Sequence, residues 1–287
     1  MTNDDSTNEL LHRPEWRPYW PRPLNLLWLL AAAASGAVVV LAVVTIPVLL
    51  VDHAWGELAQ RIALVLFLTG GVSVGLTLAG LSRSRVPKSV GPIDDARYGP
   101  GVQVRRTSRR FLVAGLLALT WFLFASGGGF GLFAGLLALA SAVTVSMLRR
   151  TQVSLHVDGI LRSSLRFGLR GPERTREFLH WEDIDGVEAE IFYVRVNMYV
   201  VRNPIIRIQS ARLFPKRTLQ RDDTHNSIVV RAHELAVDPN SLMALIMWCS
   251  ENRWARASLV DTDARLLLES PPLRERLRLS RGAPQRR

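Results

Sequence analysis

The chain reads as an α-helical membrane domain of four transmembrane helices, followed by a β-rich domain of about seven antiparallel strands closed by an amphipathic helix. Three observations carry that reading. Uncharged apolar runs fill the first half, at residues 24–51, 62–81, 111–125 and 130–148. From Thr151 the pattern changes to apolar/polar alternation, interrupted by an Asp158-Gly159 pair of the kind that turns a hairpin. Near the end Leu242, Leu245, Ile246 and Cys249 recur at i, i+3, i+4 and i+7, the stripe of a helix with one buried face. The expected layout is an N-terminal segment at 1–23, a membrane domain at 24–148, the β-rich domain at 149–260 and a basic tail at 261–287.

Crossing a bilayer takes about 20 apolar helical residues. The first two runs therefore supply one span each. The stretch 111–148 is too long for one helix, and Ser126-Gly127-Gly128-Gly129 breaks it into two arms. Run 24–51 also continues too far past its small residues at 31–37 to be a cleaved signal peptide. Cations set the orientation. The segment 52–61 carries one arginine, whereas 82–110 carries Arg83, Arg85, Lys88, Arg97, Arg105, Arg106, Arg109 and Arg110, and Arg149-Arg150 follows the last run. By the positive-inside rule that loop, both termini and everything after residue 150 face the cytoplasm of a bacterial inner membrane. Trp20, Trp28 and Trp55 sit where interfacial aromatics are expected.

The four runs hold no ionisable residue, which argues against a conduction path. Their hydroxyls, Thr45 and Thr69 among them, can bond to their own helix carbonyls, and Pro47 should bend the first run. Gly71 with Gly75, and Gly131 with Gly135, allow close helix approach, either within the bundle or in a homo-oligomer. His53 and Glu57 stand four apart in the segment 52–61, a spacing that a solvated loop explains better than a metal site does. No metal and no cofactor is expected.

In the second half 153–157 and 160–167 read as a hairpin, Gly168 to Arg174 as a polar loop, and 178–181 and 187–194 as further strands. More strands are expected at 198–201, 205–208 and 228–232, with a charged loop over 213–226. Asp238-Pro239 is an N-cap followed by proline at the first helical position, opening a helix expected to end near Arg256.

The segments 153–163, the run His180-Trp181-Glu182-Asp183-Ile184 with Val187, and the helix from Pro239 resemble the bacterial pleckstrin-homology-like (PH-like) domain. The end of that helix, 252–259, resembles membrane-anchored actinobacterial members of the group. The resemblance implies a binding or assembly role. In eukaryotic relatives basic side chains near the first hairpin hold phosphoinositides; here that region offers Arg162, Arg166, Arg170, Arg174 and Arg176 as candidate contacts for anionic headgroups.

Catalytic groupings are sparse. His233-Glu234 lacks a second histidine at position 237, so the two-histidine zinc motif is absent. There is no Walker-type phosphate loop and no serine nucleophile elbow. The acidic run Asp183, Asp185, Glu188 and Glu190 fits an exposed turn and strand face better than a metal site, and Cys249 falls on an apolar helix stripe. The chain is therefore expected not to be an enzyme. The tail adds Arg274, Arg276, Arg278, Arg281, Arg286 and Arg287 against Glu275, a flexible segment suited to an anionic membrane surface, with nucleic acid or plain solubility as alternatives.

The net charge of +11 divides unevenly. Residues 82–110 hold +6 and 271–287 hold +5, whereas 151–270 carry 16 cations and 16 anions. A specific nucleic-acid partner is not expected from a neutral domain. The expected function is a membrane-anchored scaffold or regulator, integral to the bilayer, that presents its interaction domain to an unidentified membrane or cytoplasmic protein partner. A transporter or channel subunit, or a membrane enzyme acting on lipid or envelope precursors, are the alternatives.

Overall fold

The computed structural model describes residues 14–20, 26–51, 90–105, 150–168, 171–196, 199–213, 222–261 and 263–282, with isolated positions between 57 and 72 and at 136. The chain divides into two compact units. One gathers Met1–Arg22, Arg83–Thr107 and Arg149–Arg287; the other holds Pro23–Ser82 and Ser108–Leu148.

In the second unit Leu26–Val51 forms helix α1, 26 residues with Pro47 inside. At 1.5 Å per residue it is about 39 Å long, more than the ~30 Å of a hydrocarbon core. Leu30, Leu41 and Val44 are two-thirds exposed, which water would penalise and lipid would not. Within α1, Thr45 donates its hydroxyl to Ala42 O at 2.8 Å, and further along the chain Thr69 donates to Val65 O at 2.7 Å, so both hydroxyls are satisfied by nearby backbone carbonyls.

The four-span membrane domain is corrected at this point. Among the described residues one helix is long and apolar enough to cross a membrane, over Leu29–Val48. Most of the other described elements are strands of two antiparallel sheets. Apolar length tells which segments can leave water, but lipid is as apolar as leucine. Hydrophobicity alone therefore does not specify a helical bundle. Residues 111–125, and 130–148 apart from position 136, lie outside the described residues, as do Gly71, Gly75, Gly131 and Gly135.

The first unit is β-rich, and it draws on three separated stretches of chain. Strands β1 (Val90–Asp95) and β2 (Gly99–Val104) form a hairpin. Tyr98 N donates to Asp95 O at 3.2 Å, and Gly99 takes φ 74°, a left-handed conformation that glycine adopts without strain. Strand β2 then pairs with β3 (Arg150–His156), Val102 opposite Leu155 and Val104 opposite Val153. The close approach needs Gly101, because a Cβ there would lie 2.2 Å from Leu155 O. Strands β4 (Gly159–Gly168) and β5 (Gly171–His180) complete a sheet in the order β1-β2-β3-β4-β5. Strands β6 (Gly186–Val196), β7 (Tyr199–Gln209) and β8 (Ser227–Val230) form a second sheet in that order.

Three further expectations change here. About seven strands were expected from a contiguous 149–260; among the described residues there are eight, two of them from 90–104. That hairpin lies inside the segment that the cation count assigned to a loop. The expected strands at 198–201 and 205–208 are one strand, β7. Of the expected loop from Gly168 to Arg174, Gly168 belongs to β4 and Gly171–Arg174 to β5, and the two strands pair along their whole length, with Gly168 opposite Gly171. The apolar alternation fails there because the inward positions carry paired polar groups, Ser164 against Thr175 and Arg162 against Glu177.

Helix α2 (Pro239–Glu251) has the expected cap, Asp238 Oδ2 accepting from Ser241 N at 3.1 Å. It stops at Asn252 and a 3-10 helix, Arg253–Leu259, follows. Leu242, Leu245, Ile246 and Cys249 face a core shared with Val102, Val153, Leu155, Ile160, Trp181, Ile206, Ile208 and Ile228. The tail is ordered further than a flexible segment would be. A 3-10 helix at Ala264–Leu268 sends Ala264 and Leu268 into the core, and Leu273–Gly282 forms helix α3.

Candidate functional site

The arginines expected to meet headgroups are separated by the fold. Arg162 points inward from β4 with a fully buried side chain. Its Nε donates to Glu177 Oε2 at 2.9 Å, and Nη1 donates to Asp223 Oδ1 and Val229 O, both at 2.8 Å. Nη2 donates to Asp223 Oδ2 at 2.6 Å and also reaches Glu177. Burial alone favours the neutral guanidine, but the hydrogen bonds and charges of Asp223 and Glu177 outweigh it and raise the pKa further. Arg162 is thus a charged cross-link from β4 to the segment before β8, closed to any headgroup.

Arg174 and Arg176 lie exposed on β5. Arg174 Nε donates to Ser163 Oγ at 3.2 Å, and Arg176 stands 3.7 Å from Asp95. The Asp95 carboxyl accepts from Arg97 N, which holds it below the usual carboxylate range, with Arg176 adding to the effect. Arg166 is opposite Glu173 on β5, and Arg170 lies outside the described residues.

Three members of the acidic run, Asp183, Asp185 and Glu190, have partners within the domain. Asp183 pairs with Arg212 at 2.7 Å, Asp185 accepts from Ala211 N at 2.6 Å, and Glu190 takes Arg207 bidentately at 2.7 and 2.9 Å. Asp222 holds Arg231 through a single oxygen, Oδ2 accepting from Nε at 2.9 Å and from Nη2 at 2.6 Å. Among the described residues no three His, Cys, Asp or Glu side chains are placed to hold a metal ion. The residues 214–221 of the second basic loop, and Asp52 and His53, lie outside the described residues.

Groups with nucleophile or base chemistry stand apart from one another. Burial pushes the Cys249 thiol up to about 12, far from a reactive thiolate. His156 is fully buried, its Nδ1 2.9 Å from Gly99 O, beneath Tyr98 and Phe178, whose rings stack at 4.3 Å. His233 meets Pro204 O at 3.1 Å. Trp181, the centre of the expected PH-like element, is a core residue and donates its indole N–H to His156 O at 2.9 Å. Arg256 covers it, with its guanidinium carbon 5.9 Å from the ring centroid, and pairs with Glu182.

The N-terminal segment belongs to the fold, which the sequence reading missed. Trp16 Nε1 donates to Asp238 Oδ2 at 3.1 Å, Trp20 N to Asn240 Oδ1 at 3.0 Å, and Trp20 Nε1 to Glu190 O at 2.7 Å. Tyr19 donates its hydroxyl to Met247 Sδ at 3.2 Å, and burial raises its pKa. Trp20, expected at a membrane interface, is 4% exposed in the core. A signal was present: Trp16, Tyr19 and Trp20 are interleaved with Pro14, Pro18, Pro21 and Pro23, a stiff aromatic run that a disordered leader does not need.

At the other end α3 carries the tail arginines. Arg276 is buried, whereas Arg274 and Arg278 are exposed, and Glu275 stands 4.0 Å from Arg278. Positions 274, 278 and 281 recur at i, i+4 and i+7, on one helix face. Pro272, Arg274, Glu275, Leu277 and Arg278 line an open hollow of about 690 Å³. No family model matches the chain, and neither does any curated protein or any solved structure.

Proposed function

We propose that the protein is a membrane-anchored scaffold or regulator whose first unit is an interaction domain at the cytoplasmic face of a bacterial inner membrane. One observation carries the reading: chain on both sides of α1 builds a single hydrophobic core. Trp20 precedes the helix, Val90 and Val102 follow it, and all three are buried in the same cluster. Cleavage after α1, as in a signal peptide, would strip Trp16, Tyr19 and Trp20 with their hydrogen bonds from a folded domain.

Sharing that core, the segments 14–20, 90–105 and 150–282 share one side of the membrane in this reading. Arg83, Arg85 and Lys88 precede the hairpin at Val90, Arg105, Arg106, Arg109 and Arg110 follow it, and Arg149-Arg150 opens β3. This cation density supports the cytoplasmic side. The paired acidic side chains and the buried Cys249 support binding over catalysis.

A cysteine introduced at Asp158, in the exposed β3–β4 turn, tests this. The expected result is a chain that stays with membranes through alkaline carbonate and reacts with an impermeant maleimide only after the cells are permeabilised. Release from the membrane, or labelling of intact cells, would overturn the reading.

A further inference from the structure

The cations of the first unit are not used alike. Arg162, Arg207, Arg212, Arg231 and Arg256 are each held by a carboxylate of the same unit, whereas Arg174 on β5 is exposed and donates to Ser163 Oγ. Helix α3 concentrates four arginines against one glutamate in Leu273–Gly282, and that glutamate, Glu275, stands 4.0 Å from Arg278. The helix is nevertheless fixed in place. Leu268 and Ala264 anchor the turn before it, Ser270 is buried, and Arg276 turns inward. A flexible basic tail would scatter its charge; this one presents Arg274 and Arg278 outward on a single face, beside a hollow walled by Pro272 and Leu277.

We infer that α3 is a docking site for anionic phospholipid of the leaflet in which the chain is anchored. The headgroup phosphates would meet Arg274 and Arg278, and the hollow along Leu277 and Pro272 would take the apolar glycerol and acyl end. Charge complementarity selects the anion, and the apolar wall selects a lipid over nucleic acid or free phosphate. Helix α1 keeps a bilayer within reach of the chain, so this inference rests on the anchoring proposed above. Juxtamembrane cations gain most where the leaflet is anionic, and salt screens the attraction.

The test uses the full chain in nanodiscs, read by hydrogen exchange over 273–282. In discs containing phosphatidylglycerol, exchange is expected to slow about tenfold or more relative to phosphatidylcholine discs, given two or three cations at an anionic surface. The slowing disappears in R274Q/R278Q, while exchange over Val90–Val104 stays unchanged and shows that the domain is folded. High salt applied to the unaltered chain removes the same protection without any substitution. Equal exchange in both discs, protection that survives high salt, or protection restored in phosphatidylcholine discs by inorganic phosphate would each overturn the site. Co-elution of chain and disc reports the anchoring separately, so failure of the one is distinguishable from failure of the other.

Discussion

The β4–β5 hairpin has two ends built on opposite principles. Near Gly159 it is apolar: Ile160 is paired with Leu179, and Trp181 lies beyond the strand end. A few residues further along, the same inward face carries Arg162 against Glu177 and Ser164 against Thr175, with Asp223 reaching Arg162 from before β8. The apolar end gains stability from the area it removes from water, and many side chains of similar volume could do that. The ionic end tolerates one partner geometry, because a buried guanidinium without its carboxylates is very costly. The first end fills the core; the second fixes where the segment before β8 must lie.

The sharpest way to break this contrast is Asp223→Ala, which leaves the Arg162 charge buried beside Glu177 alone. A loss of about 4 kcal/mol is expected in the urea midpoint of the detergent-solubilised chain. A loss below about 1 kcal/mol would show that water or Glu177 compensates, and the ionic end would then be as adaptable as the apolar one. Replacing both partners, R162M with D223L, is expected to recover more than half of that loss, because the buried charge is gone. Gly159→Ala probes the apolar end. Its Cβ would sit 2.2 Å from Leu179 O and 2.8 Å from the Phe178 ring, so a loss of about 2 kcal/mol is expected as the strand shifts. A neutral outcome would mean that the hairpin relaxes freely there.

The smallest effect concerns Glu182, at the Trp181 turn. Its hydrogen bond from Arg256 holds the carboxyl below the usual carboxylate range. A depressed carboxylate stabilises the fold above its unfolded pKa, and that contribution is lost as pH falls through the folded value. Glu182→Gln is therefore expected to lower the neutral plateau slightly, leave stability below the folded pKa unchanged, and so make the acid side of the stability–pH curve shallower by the same small amount. The side chain is 59% exposed, so solvent screening keeps the effect small. A large flattening would show a more buried pair than the geometry gives.

Legibility in the sequence followed the range of the interaction. The Asp158-Gly159 turn, the Asp238 cap and the stripe on α2 were readable because each is settled within a few residues. The β1–β2 hairpin was not. Val102 and Val104 alternate correctly, but Pro92, Pro100 and the flanking cations obscure the pattern, and the strand that completes it begins at Arg150. Arg162 read as a surface cation because its partners are 15 and 61 residues away. Trp20 read as an interfacial anchor because its backbone acceptor, Glu190 O, is 170 residues distant.

By itself, the sequence determined that long uncharged apolar runs fill the first half, that an alternating β-rich half follows, and that this half is electrically neutral over 151–270. These are sums over neighbours in the chain, so composition and period carry them. Only the tertiary structure decided which cations are spent inside the fold and which face outward. It also decided that the stretches before α1 and between the apolar runs belong to the β-rich unit. Both depend on pairing across the chain, where a buried charge or indole is stable only once its distant partner has arrived.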